Sequence, residues 1–294
     1  MDSNKIADVI DRVKSAKSPV EIIWSSHPKW PQPASIEPVG TELHTFRISV
    51  LDSSFNPPTL AHKTLALSSY PGESQGDIYQ AHLLLLSVRN ADKILKQRDA
   101  TFIQRVEMMV HLAEDVAQNL PTQPPTTVAV AVIDEPSFVG KSTKLHAYLR
   151  PRLPDDVQVK LTFVLGTDTI TRFFAPRFYS SQEIMLQSIQ HFFLQPSQGG
   201  EGSEIVCARR ASTLTPQEEQ EFLQTDEVKQ WVSAGAVKLI DIGEEEARMS
   251  STSVREGIRH SLGCADPNEP PSWDSTCSPR VAKYIKDQFL YGFE

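Results

Sequence analysis

The amino-acid sequence predicts an α/β protein built on a doubly wound, parallel sheet. Two observations carry this. Six short apolar runs, at 47–52, 82–88, 128–133, 159–165, 205–208 and 237–242, alternate with stretches of helical spacing, the pattern of successive βαβ units. The first run then breaks into a short polar loop and restarts as a helix. In a parallel sheet such a turn offers unpaired backbone N–H groups at a helix start, a natural place for an anion.

Taken in order, Ile6, Val9, Ile10 and Val13 fall at helical spacing, so residues 3–16 form an amphipathic helix. Residues 18–40 carry five prolines together with Trp24 and Trp30 and read as an irregular arm. The expected organisation is a helix and arm over 1–43 and one domain over 44–294. The first strand, 47–52, leads through Asp52-Ser53-Ser54 and Asn56-Pro57-Pro58 into a helix over 59–69; neither proline continues a strand ladder, and both suit a helix start. Residues 82–88, with four consecutive leucines, form a buried strand. The polar stretch from Asn90 opens a helix through Arg105, Met108, Met109, Val110 and Leu112. Short helices follow at 141–149 and, after the later strands, at 216–231, 251–261 and 278–290. The Gly- and Gln-rich stretch 197–203 is expected to be a mobile surface loop near the site. No internal repeat is present.

Composition narrows the function. The 294 residues carry 29 Lys and Arg against 37 Asp and Glu, a net charge of −8, which supplies no overall basic field for nucleic acid. The polar start Met1-Asp2-Ser3-Asn4-Lys5 lacks the apolar core of a signal peptide. No run approaches the ~20 apolar residues of a membrane helix, so no membrane partner is expected. Cys207, Cys264 and Cys277 are widely spaced, with neither a metal pair nor a disulfide framework among them, and a reduced compartment, cytoplasm or nucleus, is expected. His111, His146, His191 and His260 show no metal-ligand spacing. Gly140-Lys141-Ser142-Thr143 looks like the tail of a Walker A loop, but Glu135 stands where the full pattern needs glycine, and the segment is set aside.

Two stretches carry chemistry. Thr59 and His62, three apart, project a hydroxyl and an imidazole from one face of the first helical turn. Ser251, Thr252 and Arg255 open a later helix, with Arg255 rising over the same end. Ser53-Ser54-Phe55-Asn56-Pro57-Pro58-Thr59-Leu60-Ala61-His62 resembles the Gly-Ser-Phe-Asn-Pro-(Pro/Ile)-Thr-x-x-His signature of nicotinamide mononucleotide adenylyltransferases, with Ser53 in place of Gly and Ala61 where many members have Gly. Met249-Ser250-Ser251-Thr252-Ser253-Val254-Arg255 resembles that family's Ile-Ser-x-Thr-x-x-Arg, with Met249 for Ile. The resemblance spans about Thr45 to Tyr291 and marks a divergent, fungal-type member of a nucleotidyltransferase superfamily with a Rossmann-like fold.

The resemblance implies adenylyl transfer from ATP to nicotinamide mononucleotide or its deamidated form. His62, Thr59 and Arg255 would be catalytic. ATP would meet Ser53, Ser54, Phe55, Gly166, Asp168, Arg210, Ser251 and Thr252 as well. The second substrate would meet Asn56, Lys96 and an aromatic surface from Phe178 or Tyr179. Lys93 rivals Lys96, and Arg209 rivals Arg210. Mg²⁺ would be held mainly by the ATP phosphates and water. Arg255 is expected to hold the ATP phosphates from an exposed position and to add little to stability without ligand; the bland alternative is a solvated helix residue. Two other readings remain: a related nucleotidyltransferase or ATP hydrolase with another second substrate, and an ATP-binding regulatory protein without turnover. Acceptor preference and oligomeric state are open.

Overall fold

The computed structural model describes residues 2–32, 44–72, 78–89, 99–121, 125–209, 215–261 and 273–292. Its strands are β1 (Val20–Ser25), β2 (His44–Asp52), β3 (Ala81–Ser87), β4 (Thr127–Ile133), β5 (Val157–Gly166), β6 (Glu204–Ala208) and β7 (Val237–Ile240). The helices are α1 (Ser3–Lys14), α2 (Leu60–Leu67), α3 (Phe102–Ala117), α4 (Phe138–Leu149), α5 (Thr167–Phe173), α6 (Gln182–Phe193), α7 (Pro216–Leu223), α8 (Asp226–Ser233), α9 (Glu244–Arg248), α10 (Ser251–Ser261) and α11 (Pro279–Asp287).

These strands form one sheet in the order β1-β4-β3-β2-β5-β6-β7. All pairings are parallel except β1 with β4. Counted from β2, the parallel strands run 3-2-1-4-5-6, the doubly wound order. Its direction reverses between β2 and β5, and ligands of such sheets bind outside the carboxyl ends of the strands at that reversal.

Alternation along the strands divides the core in two. Leu83 and Leu85 of β3 join Ile48, Val50 and Phe163 on one face, under α4, α5, α6 and α8. Leu84 and Leu86 join Leu51 and Val164 on the other, under α1, α2 and α3. A smaller cluster of Met108, Val254, Ile258, Trp273, Val281 and Ile285 ties α10 and α11 to α3.

Two expectations are corrected. The segment 18–40, read as an irregular arm, contains β1, which pairs antiparallel with β4 from Val20↔Ile133 to Ser25↔Ala129. Its prolines lie outside the strand, and the edge of β4 supplies the partner that local sequence cannot reveal. Residues 197–203, expected near the site, lie away from the switch point. They precede β6, at the end of the sheet opposite the site. The Glu201 carboxylate accepts bonds from the hydroxyls of Ser142 and Thr143, and lies 3.3 Å from His191 Nε2.

Because Ile6 of α1 is fully buried in the same cluster as α3, Ile6→Ala is expected to cost about 2–4 kcal/mol, the scale of a core truncation. Urea unfolding checks this; a loss under about 0.5 kcal/mol, as for a surface site, would show α1 to be peripheral.

Candidate active site

The loop after β2 supplies the first half of the site. Phe55 takes φ +44°, and the Asn56–Pro57 peptide is cis. The Asn56 side chain is buried, its Oδ1 accepting from Tyr291 Oη–H at 2.9 Å and Ala100 N–H at 3.3 Å. Thr59 then serves as the N-cap of α2, and His62 lies in the first turn. The Thr59 backbone N–H donates to His62 Nδ1 at 3.0 Å, and Thr59 Oγ1 lies 2.9 Å from the same nitrogen. A backbone N–H can only donate, so Nδ1 is an acceptor and the ring proton of the neutral imidazole sits on Nε2. Nε2 donates to Ser53 Oγ at 2.9 Å. The hydroxyl that replaces the resembled glycine therefore holds the ring, with the Phe55 ring 5.3 Å away.

The second half comes from α10, whose N-cap is Ser250: its Oγ accepts from Ser253 N–H at 3.0 Å. Ser251 Oγ donates to the Pro57 carbonyl at 2.7 Å. Arg255 donates from Nη1 to the Asn56 carbonyl at 2.5 Å and from Nη2 to Thr252 Oγ1 at 3.2 Å, and its Nε lies 3.9 Å from Asp99 Oδ1. Asp99 also faces the buried Arg105 at 3.8 Å. Burial lowers the Arg105 pKa, against the charge of Asp99, which raises it. Burial likewise pushes the Tyr291 phenol far up, so it remains a donor to Asn56.

Strand ends complete the arrangement. Gly166 N-caps α5, which carries Asp168 in its first turn, and the adjoining Thr167 hydroxyl donates to the Ala208 carbonyl of β6 at 3.1 Å. Two clefts meet there. The larger, about 250 Å³, has Ser54, Phe138, Lys141, Phe178 and Tyr179 on its walls. The smaller, about 90 Å³, has His62, Gly166, Ala208 and Ile242. Asp52, Ser53, Asp168 and Thr169 line both.

The two signature stretches are thus brought together: His62, Thr59 and Ser53 on one side, Ser251, Thr252 and Arg255 on the other. Several residues are used differently from expectation. The Phe55 side chain is fully buried and Asn56 is 5% exposed, because the loop turns them into the core; neither lines either cleft. Arg255 is bonded to the loop backbone, with a side chain 19% exposed, and is not the solvated residue that helix periodicity suggests. Ser251 is spent on Pro57. Tyr179 lines the larger cleft, but its hydroxyl donates to the Phe173 carbonyl at 2.8 Å, and burial raises its pKa well above that of a free phenol. Arg209 turns to Glu219 and Asp241 at 2.9 and 3.3 Å. Lys93, Lys96 and Arg210 lie outside the described residues.

Several wall residues lie outside both signature stretches. Lys141, set aside with the Walker-like tail, reaches the larger cleft and pairs with Asp52 at 2.5 Å. The usable signal was topological: a lysine in the first turn after a parallel strand, and an aspartate ending its neighbour's neighbour, lie at the same end of the sheet.

No family model matches the chain. Over 178 residues it is 32% identical to a Schizosaccharomyces pombe protein provisionally named a nicotinamide mononucleotide adenylyltransferase. The likeness is to a mononucleotide adenylyltransferase. It extends over 60% of this chain, which spans about three fifths (59%) of that relative's length. Among solved structures, Plasmodium falciparum nicotinic acid mononucleotide adenylyltransferase complexed with APC is 14% identical, with a TM-score of 0.49 over 85% of this chain and 98% of that one. The same enzyme complexed with NaAD is 15% identical, with the same TM-score and coverage.

Because Arg255 bonds to the Asn56 carbonyl and faces Asp99, Arg255→Ala is expected to destabilise the ligand-free protein by about 1–3 kcal/mol, the scale of a charge-assisted bond. Arg255→Lys should recover part of this, since lysine lacks the planar fork. Thermal unfolding without nucleotide reads the effect; an unchanged midpoint for Arg255→Ala would remove the clamp.

Proposed function

We propose that the protein transfers the adenylyl group of ATP to nicotinamide mononucleotide, giving NAD and pyrophosphate. The observation that carries this is the Nε2–H of a neutral His62, held on the wall of the smaller of two adjoining clefts at the switch point of the sheet. The similarity to the S. pombe protein supports the same reading.

In the reaction an oxygen of the mononucleotide's 5′-phosphate attacks the α-phosphorus of ATP. The bond from that phosphorus to the bridging oxygen breaks, and pyrophosphate leaves with the bonding pair. A phosphate monoester is already anionic at neutral pH, so no general base is needed. Catalysis becomes positioning and charge stabilisation. The smaller cleft, with Gly166 allowing close backbone approach and His62 on its wall, suits the nucleotide. The larger, with aromatic walls, suits a pyridine ring. His62 would donate its Nε2–H to a non-bridging oxygen of the α-phosphate or to the leaving oxygen, exchanging Ser53 Oγ for a more charged acceptor. Thr59 orients the ring through Nδ1. Arg255 acts through the loop it holds and lends its charge to the phosphates from beside Asn56. Mg²⁺, when bound, offsets phosphate charge.

The test is to incubate the protein with ATP and Mg²⁺, with and without each mononucleotide, and to quantify dinucleotide, pyrophosphate and ADP. Dinucleotide and pyrophosphate in equal amounts are expected. ADP formed whether or not a mononucleotide is present would favour an ATP hydrolase, and ATP binding with no product a regulatory protein. His62→Ala should fold normally yet lower transfer about a hundredfold or more, the scale of one transition-state donor; a variant keeping most of its kcat would exclude His62 from the chemistry.

A further inference from the structure

Asp52 ends β2, and Lys141 lies in the first turn of α4. Their side chains are 9% and 5% exposed and meet at 2.5 Å. Both line the larger cleft, where Lys141 Nζ also lies 4.8 Å from the centre of the Phe138 ring. Withdrawing two charges from water is costly, and apolar residues of similar size often serve stability as well. An ion pair set into a cleft wall therefore calls for a reason besides stability.

Its chemistry supplies one. An ammonium has three donors and a carboxylate about four lone-pair sites, so one bond between them leaves a donor and an acceptor side by side. A primary carboxamide presents the complement, a carbonyl next to N–H groups. A carboxylate on the same ring accepts from Lys141 but brings like charge against Asp52. Phe138 and Phe178 give the cleft aromatic faces for the ring that carries either group. Among the described residues the other cation lining the cleft, Arg172, is exposed, where water and salt screen its charge.

We infer that the Asp52–Lys141 pair is a specificity determinant that reads the carboxamide of the acceptor and favours nicotinamide mononucleotide over its deamidated form. The inference rests on the adenylyl-transfer reading for the identity of the acceptor.

Wild type, Asp52→Asn and the double variant Asp52→Leu/Lys141→Met are compared with both mononucleotides. Calorimetry with a non-hydrolysable ATP analogue present gives binding, and dinucleotide formation gives kcat/KM. Wild type should favour the carboxamide about tenfold or more, and both variants should bring the ratio to within about threefold, as expected when a paired donor and acceptor are lost. The double variant leaves no lone buried charge, so a folded protein is available if Asp52→Asn unfolds. Equal preference in wild type, preference for the carboxylate, or a ratio unmoved in folded variants would overturn the inference. If no dinucleotide forms but binding shows the preference and its loss, adenylyl transfer fails and the specificity role stands. If neither mononucleotide binds, the specificity role falls as well.

Discussion

The carbonyl and side-chain amide of Asn56 receive hydrogen bonds from three separate parts of the chain. Arg255 reaches the carbonyl from α10, Tyr291 reaches Oδ1 from beyond α11, and Ala100 reaches Oδ1 from the turn before α3. Ser251 adds a bond to the next carbonyl, that of Pro57. A loop with a positive φ at Phe55 does not hold that shape on local preference, because a non-glycine residue there is strained. The clamp overdetermines it. The cap at Thr59 and the ring of His62, a few residues further on, inherit their positions from that clamp.

His62 shows how positioning becomes chemistry. One backbone N–H assigns the acceptor nitrogen, and with it the proton to the opposite nitrogen. Protonating Nδ1 would set two donors against each other, so the geometry favours the neutral ring. Ser53 completes the arrangement by accepting from Nε2. The serine lacks glycine's conformational freedom but gives the imidazole a partner where, in the proposed reaction, a developing negative charge would stand. Electrostatic preorganisation of this kind lowers a barrier because the dipole need not reorient during the reaction.

Much of this was legible in the sequence, because the informative patterns are local. The apolar runs marked β2 to β7 within a few residues, and the spacing of Thr59 to His62 and of Thr252 to Arg255 marked two helix starts. The parallel order then placed both at one end of the sheet. What was illegible depends on partners far along the chain. β1 is a strand because β4 offers an edge, not because Val20–Ser25 says so. Arg255 reads as a solvated helix residue until the Asn56 carbonyl, 199 positions away, is known to meet it. Glu201 lies in a Gly-rich stretch that reads as mobile until Ser142 and Thr143 are seen to bond it. Lys141 was hidden by a misleading local motif, and Asp52, 89 residues earlier, gives it its place.

The bond from Tyr291 to Asn56 spans 235 positions and ties the loop after β2 to the segment after α11. During synthesis the Asn56 loop is made 235 residues before Tyr291. Contacts of such separation form late and slowly, since a long loop must close before they stabilise anything. The nascent chain can build the sheet around β2, β3 and β4 while the loop at Asn56 is still unheld. A chain in which α10 and the segment of Tyr291 are not yet made would then carry the Asn56 loop without the bonds that hold its shape.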